Sequence, residues 1–251
     1  MDKVKRALVT GAGARIGKAM AEALGADGWQ VAVHYRTSRS GADATADMIR
    51  SSGGVAEPVQ ADLGIAEDRA QLIEKSVAAL GGPLTLLINS ASTFEDDSAS
   101  SFTEDDWDFH IGPNVRAPLI LARDFANQMP EDEKGLIINL IDQRVRKLNP
   151  QFFTYTLSKS LLWTATRTLA QSFAPNIRVN GIAPGPVLGS IHQSEDDFSQ
   201  EKKATLTGEG SSPAAIVHAM KFLIEATTVT GQMICSDGGQ HLLWQTPDLE
   251  I

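Results

Sequence analysis

Only one cysteine and five histidines occur in 251 residues. A lone Cys235 excludes an intrachain disulfide and a cysteine-cluster metal site. The histidines are scattered without metal-ligand spacing, so no metal centre is expected. Basic residues are also scarce, 22 against 31 acidic, for a formal net charge of −9. That balance argues against nucleic acid and anionic membranes as partners, while local basic residues leave room for an anionic cofactor. No apolar run approaches the ~20 residues that span a bilayer, and the N-terminus shows no signal-peptide core. A cytoplasmic protein is expected.

What is present suffices for one full core: 42% of the residues are hydrophobic, and a chain of this length is read as a single domain, 1–251. Short apolar runs at Ala7 to Thr10, Val31 to Tyr35, Val55 to Gln60, Leu84 to Asn89, Leu136 to Ile141 and Ile177 to Ile182 have the length of buried parallel strands, with a last one near Met233. Helical patterns lie between them, at Gly17 to Leu24, Ala42 to Arg50, Ala66 to Leu80, Asp105 to Met129, around Tyr155, and from Pro213 to Glu225. Such alternation predicts an α/β fold, a doubly wound parallel sheet of about seven strands with right-handed crossovers. The polar stretch Leu188 to Ser212 reads as an insertion or substrate lid, with Glu195-Asp196-Asp197 as its solvated face.

Two motifs carry chemistry. Thr10-Gly11-Ala12-Gly13-Ala14-Arg15-Ile16-Gly17 joins the first strand to the first helix. Glycine lets the backbone approach a pyrophosphate, and the free N–H groups of the helix start bind its charge. The second is Tyr155-Thr156-Leu157-Ser158-Lys159. It places a phenol and an amine at i and i+4 on one helical face, where the ammonium is expected to lower the phenol pKa toward neutral. The second strand ends His34-Tyr35-Arg36-Thr37-Ser38, without the carboxylate that would select NAD. Arg36, Thr37 and Ser38 suit a 2′-phosphate instead, with Arg15 as a second cation. The expected cofactor is NADPH/NADP+.

With Asp62-Leu63, Asn89-Ser90-Ala91, Asn114 and Pro184-Gly185, these motifs resemble the short-chain dehydrogenase/reductase family from about Lys5 to His241. The resemblance implies that Asp62 and Leu63 flank the adenine, and that the Asn89 segment lines the ribose. It places Pro184, Gly185 and Val187 against the nicotinamide, and has Asn114 hold a water that links Lys159 to solvent. It also implies a homotetramer, packed through the helix around Trp107, the helix from Thr154 to Phe173, and Asp237 to Trp244.

Three departures resemble the pteridine reductase branch, which includes bacterial dihydromonapterin and dihydrofolate reductases. Arg15 replaces the middle glycine of the turn, Ser92-Thr93-Phe94 follows Ala91, and Asp142 stands where the catalytic serine falls. That branch implies Arg15 on both cofactor phosphate and pterin, Ser92 and Phe94 at the substrate with Phe94 stacking on the pterin, and Asp142 beside Tyr155. A serine hydroxyl donates to a carbonyl; an ionised carboxylate cannot. Asp142 can instead orient Tyr155 and help relay a proton to a ring nitrogen. The usual Thr after Pro-Gly is absent, since Pro186 follows Gly185. Two other functions are compatible with the chain: an NADPH-dependent ketone or aldehyde reductase, and a catalytically silent NADPH-binding protein. His110, His192, His218 and His241 are expected to serve packing or surface roles.

Overall fold

The computed structural model describes residues 4–189 and 194–244. Seven parallel strands form one sheet: β1 (Arg6–Val9), β2 (Gln30–Tyr35), β3 (Val55–Gln60), β4 (Leu86–Asn89), β5 (Gly135–Leu140), β6 (Ile177–Pro184) and β7 (Met233–Ser236). Their order is β3-β2-β1-β4-β5-β6-β7. The expected doubly wound parallel sheet is thus observed.

Each strand feeds both faces. On β1, Ala7 and Val9 enter one core while Leu8 enters the other, as side chains alternate across a pleat. This is why the strands read as continuous apolar runs. One face is covered by α1 (Arg15–Ala26), α2 (Arg39–Ser51) and α8 (Pro213–Glu225), through Met20, Leu24, Ile49 and Met220. The other is covered by α3 (Ala66–Leu80), α5 (Ala117–Gln128) and α6 (Phe153–Phe173), through Leu72, Leu121, Phe125 and Ala170. Among the described residues, no helix is long and apolar enough to cross a membrane.

The pattern from Asp105 to Met129 predicts one helix, whereas the structure has α4 (Glu104–Ile111), a π-helical turn (Gly112–Arg116) and then α5. Pro113 is the physical reason. It has no N–H to give the carbonyl of Phe109, four residues back, and the Thr93 hydroxyl donates to that carbonyl instead, at 2.6 Å. Asn114 sits inside this widened turn.

The expected lid contains α7 (Glu195–Lys203), capped by Ser194, whose hydroxyl accepts from the Asp197 N–H. Glu195, Asp196 and Asp197 are exposed in its first turn, favourable at the positive end of the helix. Part of the lid expectation, 190–193 with His192, lies outside the described residues.

Candidate active site

The crevice forms where β1 pairs with β2 on one side and β4 on the other, because their crossovers leave the sheet on opposite faces. Thr10 ties that point together. Its hydroxyl donates to Ile88 O and accepts from the N–H groups of Ser90 (2.9 Å) and Ala91 (3.0 Å). A cavity of about 670 Å³ opens above the strand ends.

At one end lies the glycine turn. Gly11 has φ +66°, and a Cβ on Gly17 would stand 2.4 Å from Gly11 O, so α1 meets the turn as closely as backbone allows. Arg15 also has φ +53°, which explains why glycine is usual there and what Arg15 costs, about 1–2 kcal/mol. The start of α1 has no side-chain cap and no acidic residue in its first turn. Its unpaired N–H groups at Arg15, Ile16 and Gly17 border the cavity, a cradle that fits a pyrophosphate. Arg36, Asp62, Leu63, Ser90 and Ala91 also line it, and Arg36 is exposed. Thr37 and Ser38 are exposed beyond the lining, and Asn89 is buried against Asn139, its Nδ2 donating to Oδ1 at 2.8 Å.

His34 is a further anchor of this end, held from both ring nitrogens. It is 2% exposed; Nδ1 accepts from the Gly11 N–H at 3.0 Å, which leaves Nε2–H to donate to Ala61 O at 3.1 Å. One ring therefore clamps the glycine turn to the backbone just before Asp62. Burial holds its pKa at about 4. No spacing in the sequence signals this role, since it depends on strands paired in space.

At the other end, α6 carries Tyr155 and Lys159 one turn apart, both buried. The Asp97 carboxylate accepts from the Thr154 N–H (3.0 Å) and from the Thr154 hydroxyl, pinning the helix start. His110, 1% exposed, links the Thr154 hydroxyl (2.8 Å) to the Glu95 N–H (3.1 Å), a packing role as expected. The Tyr155 hydroxyl donates to Asp142 Oδ2 at 2.8 Å, while Asp142 Oδ1 accepts from the Arg144 N–H at 2.8 Å. Lys159 Nζ donates to Leu140 O at 2.9 Å and stands 5.7 Å from the centre of the Tyr155 ring.

The electrostatics depart from expectation. Burial, then the Asp142 charge, pushes the Tyr155 phenol well above its ordinary value, rather than Lys159 lowering it. Burial also raises Asp142, and it lowers Lys159 to about 8 against the opposing pull of Asp142. Burial is the larger cause for Tyr155, and its bond to the Asp142 carboxylate adds to it by stabilising the protonated phenol.

Asn114 is buried in the π-helical turn. Its Nδ2 donates to Thr93 O (3.0 Å) and Ser158 Oγ (3.1 Å), and its Oδ1 accepts from the Thr93 N–H (2.9 Å) and Ser92 Oγ (3.1 Å). With both side-chain donors committed, it positions the Ser92-Thr93 segment. Phe94 lines the cavity, stacked on Phe152 at 4.3 Å and edge-on to Tyr155 at 4.7 Å. Phe152 is the second non-glycine residue with positive φ, +53°. Both such residues stand at the site, where local strain is commonly held. Arg15 turns from the turn toward the lid side, donating to Leu188 O (3.0 Å) and Gly189 O (3.1 Å). Pro184, Gly185 and Val187 complete the lining.

A Rossmann crevice with a buried Tyr-Lys pair at the strand ends defines a dinucleotide-dependent oxidoreductase. The chain belongs to the short chain dehydrogenase family, whose pattern matches residues 5–200. A FolM alternative dihydrofolate reductase 1 from Brucella suis, solved in complex with NADP, is 46% identical, with TM-score 0.94 over 97% of this chain and 98% of that one. The landomycin C-6 ketoreductase LanV, solved with NADP and rabelomycin, is 32% identical, with TM-score 0.84 over 95% and 97%. Glucose 1-dehydrogenase 2 of Bacillus subtilis is 31% identical over 95% of both chains.

The His34 clamp predicts a pH dependence. The unfolded ring protonates near 6.5 and the folded one near 4. Stability is therefore whole above pH 6.5 and declines as pH falls toward 4, by about 3 kcal/mol. His34→Asn keeps an acceptor for Gly11 but cannot titrate, so urea midpoints of parent and variant should converge or cross over that window. Parallel pH curves would refute the clamp.

Proposed function

We propose that this chain is an NADPH-dependent reductase of a pteridine ring, of dihydropterin or dihydrofolate type. The Asp142 carboxylate at 2.8 Å from the Tyr155 hydroxyl carries the reading. A ketone reductase needs a donor at that position to hold the developing alkoxide, and a carboxylate there repels it. A ring nitrogen that takes up a proton has no such conflict. The 46% and 45% identity to the Brucella suis and Brucella canis FolM structures supports the same reading. Bound NADPH supplies the hydride.

The chain's own residues hold and move the proton. Tyr155 is the donor, and rotation of its hydroxyl re-aims it from Asp142 to the substrate. Asp142 accepts from the Tyr155 hydroxyl and holds it in place, and a proton that reaches this carboxylate has a direct path back to Tyr155. Lys159, with a pKa of about 8, is mostly ammonium at pH 7, fixed by Leu140 O. Phe94 offers an aromatic face to the heterocycle, and Ser92 a hydroxyl at the cavity wall. Arg36 and Arg15 carry the preference for the 2′-phosphate.

Reduction of ketones or aldehydes is the second reading, favoured by the likeness to LanV. A silent NADPH-binding protein fits less well, because the Tyr155–Asp142 bond and the Lys159 anchor are both intact. A cytoplasmic homotetramer goes with the family. Trp107 and Phe109 on α4 and Leu157 and Leu161 on α6 are exposed apolar side chains, as are Leu242 and Trp244 near the other expected contact.

Tyr155→Phe should lower turnover roughly 10²-fold or more. Asp142→Ser should lose activity toward dihydropterins and gain some toward ketones. Dihydropterin rates equal to the parent's in the Ser variant would remove Asp142 from the mechanism, and a parent that reduces ketones but no pterin would establish the second reading.

NADPH should bind at least tenfold more tightly than NADH, about 1.4 kcal/mol, and Arg36→Asp should invert the order. Equal affinities in a titration would sink the cofactor assignment. Light scattering at micromolar concentration should give a tetramer; a monomer there would refute the assembly.

A further inference from the structure

Four cationic side chains line the cavity: Arg15, Arg36, Lys159 and Arg144. Three have tasks. Arg15 donates to Leu188 O and Gly189 O, Lys159 donates to Leu140 O, and Arg36 stands at the cofactor end. Arg144 has none. Among the described residues its side chain makes one hydrogen bond, a long 3.5 Å contact from Nη1 to Asn149 Oδ1, and no ion pair of 4.0 Å or less with a carboxylate.

The position of Arg144 is nonetheless held. Its own N–H is bonded to Asp142 Oδ1, and its guanidinium carbon lies 4.8 Å from the Phe152 ring centre and 5.9 Å from that of Phe94. Aromatic contact covers the flat face of a guanidinium and leaves its N–H edge free, the arrangement that receives a carboxylate or phosphate in two parallel bonds. Arg144 is half-buried, so such a bond is screened less than one on an open surface. The proximity to Phe94 puts this cation beside the place assigned to the heterocycle.

We propose that Arg144 binds an oxyanion carried on the substrate's side chain, a carboxylate or a phosphate, so that the enzyme selects anionic over neutral pteridines. This rests on the pteridine reading and adds the charge of the substrate to it. Arg144 also faces the Asp142–Tyr155 pair and opposes their upward shifts. A residue that acted only through that pair would change turnover for every substrate alike.

The experiment measures kcat and KM at saturating NADPH for dihydrofolate, which carries carboxylates, dihydroneopterin monophosphate, which carries a phosphate, and neutral dihydroneopterin. The parent should favour at least one anionic substrate by tenfold or more in kcat/KM, and that preference should shrink with added salt. Arg144→Met should cut the anionic-to-neutral ratio at least tenfold, chiefly through KM, with partial recovery in Arg144→Lys. Loss confined to dihydrofolate identifies the carboxylate, and loss confined to the monophosphate identifies the phosphate. A parent without anionic preference overturns the proposal even if the Met variant fails to fold. So does a Met variant with an unchanged ratio, a uniform fall in kcat and a displaced pH profile. A parent that reduces ketones and no pteridine is a different result, because it removes the pteridine reading itself.

Discussion

At the end of β1 the chain turns into α1 on one face of the sheet, while the connection after β4 leaves on the other, and the Thr10 hydroxyl holds the two strand ends together. Everything chemical in this protein is arranged around that divergence. A parallel sheet covered on both faces has few openings, and a topological switch point is where one is built in. His34 extends the same tie sideways, from the glycine turn to the end of β3, with a ring kept neutral by burial. The cofactor cradle is thus anchored by two side chains that do not themselves belong to the glycine motif's chemistry.

The end of the crevice that holds Tyr155 and Lys159 is organised by burial of charge. For Asp142, Tyr155 and Lys159 each pKa moves in the direction that burial dictates: up for the acid and the phenol, down for the amine. The Tyr155–Asp142 bond and the bond from Lys159 to Leu140 O keep such a group tolerable in the interior. Strain is held at both ends of the crevice: among the described residues, Arg15 and Phe152 are the two non-glycine residues at positive φ. Both are fixed by contacts that a relaxed backbone would lose, Arg15 by the carbonyls after β6 and Phe152 by stacking on Phe94.

Ketoreductases and dihydrofolate reductases share this fold at TM-scores of 0.84 and 0.94, so the sheet says little about the substrate. A carboxylate where carbonyl chemistry wants a donor, an aromatic pair at the cavity wall and a cation that, among the described residues, has no ion pair within 4.0 Å distinguish this site. Such features are few, and they lie on the segment between β5 and α6 and on the loop after β4.

The parallel sheet and the cofactor class were legible in residues alone, because a strand buried on both faces must be apolar throughout and a glycine turn ahead of a helix has few other uses. Asp142 was picked out only through the family resemblance, which expects a serine at that distance from Tyr155. The break at Pro113 could have been read from the missing N–H, yet its rescue by Thr93 could not, since 16 residues of chain separate that hydroxyl from Phe109 O. His34, Arg144 and Phe152 were invisible for the same reason. Local sequence sets which groups a residue offers and which backbone it prefers. Their partners, their exposure and therefore their pKa values are set by strands and loops brought together only when the chain folds, so the direction of the Tyr155 shift and the placement of Arg144 against Phe152 were decided by tertiary structure.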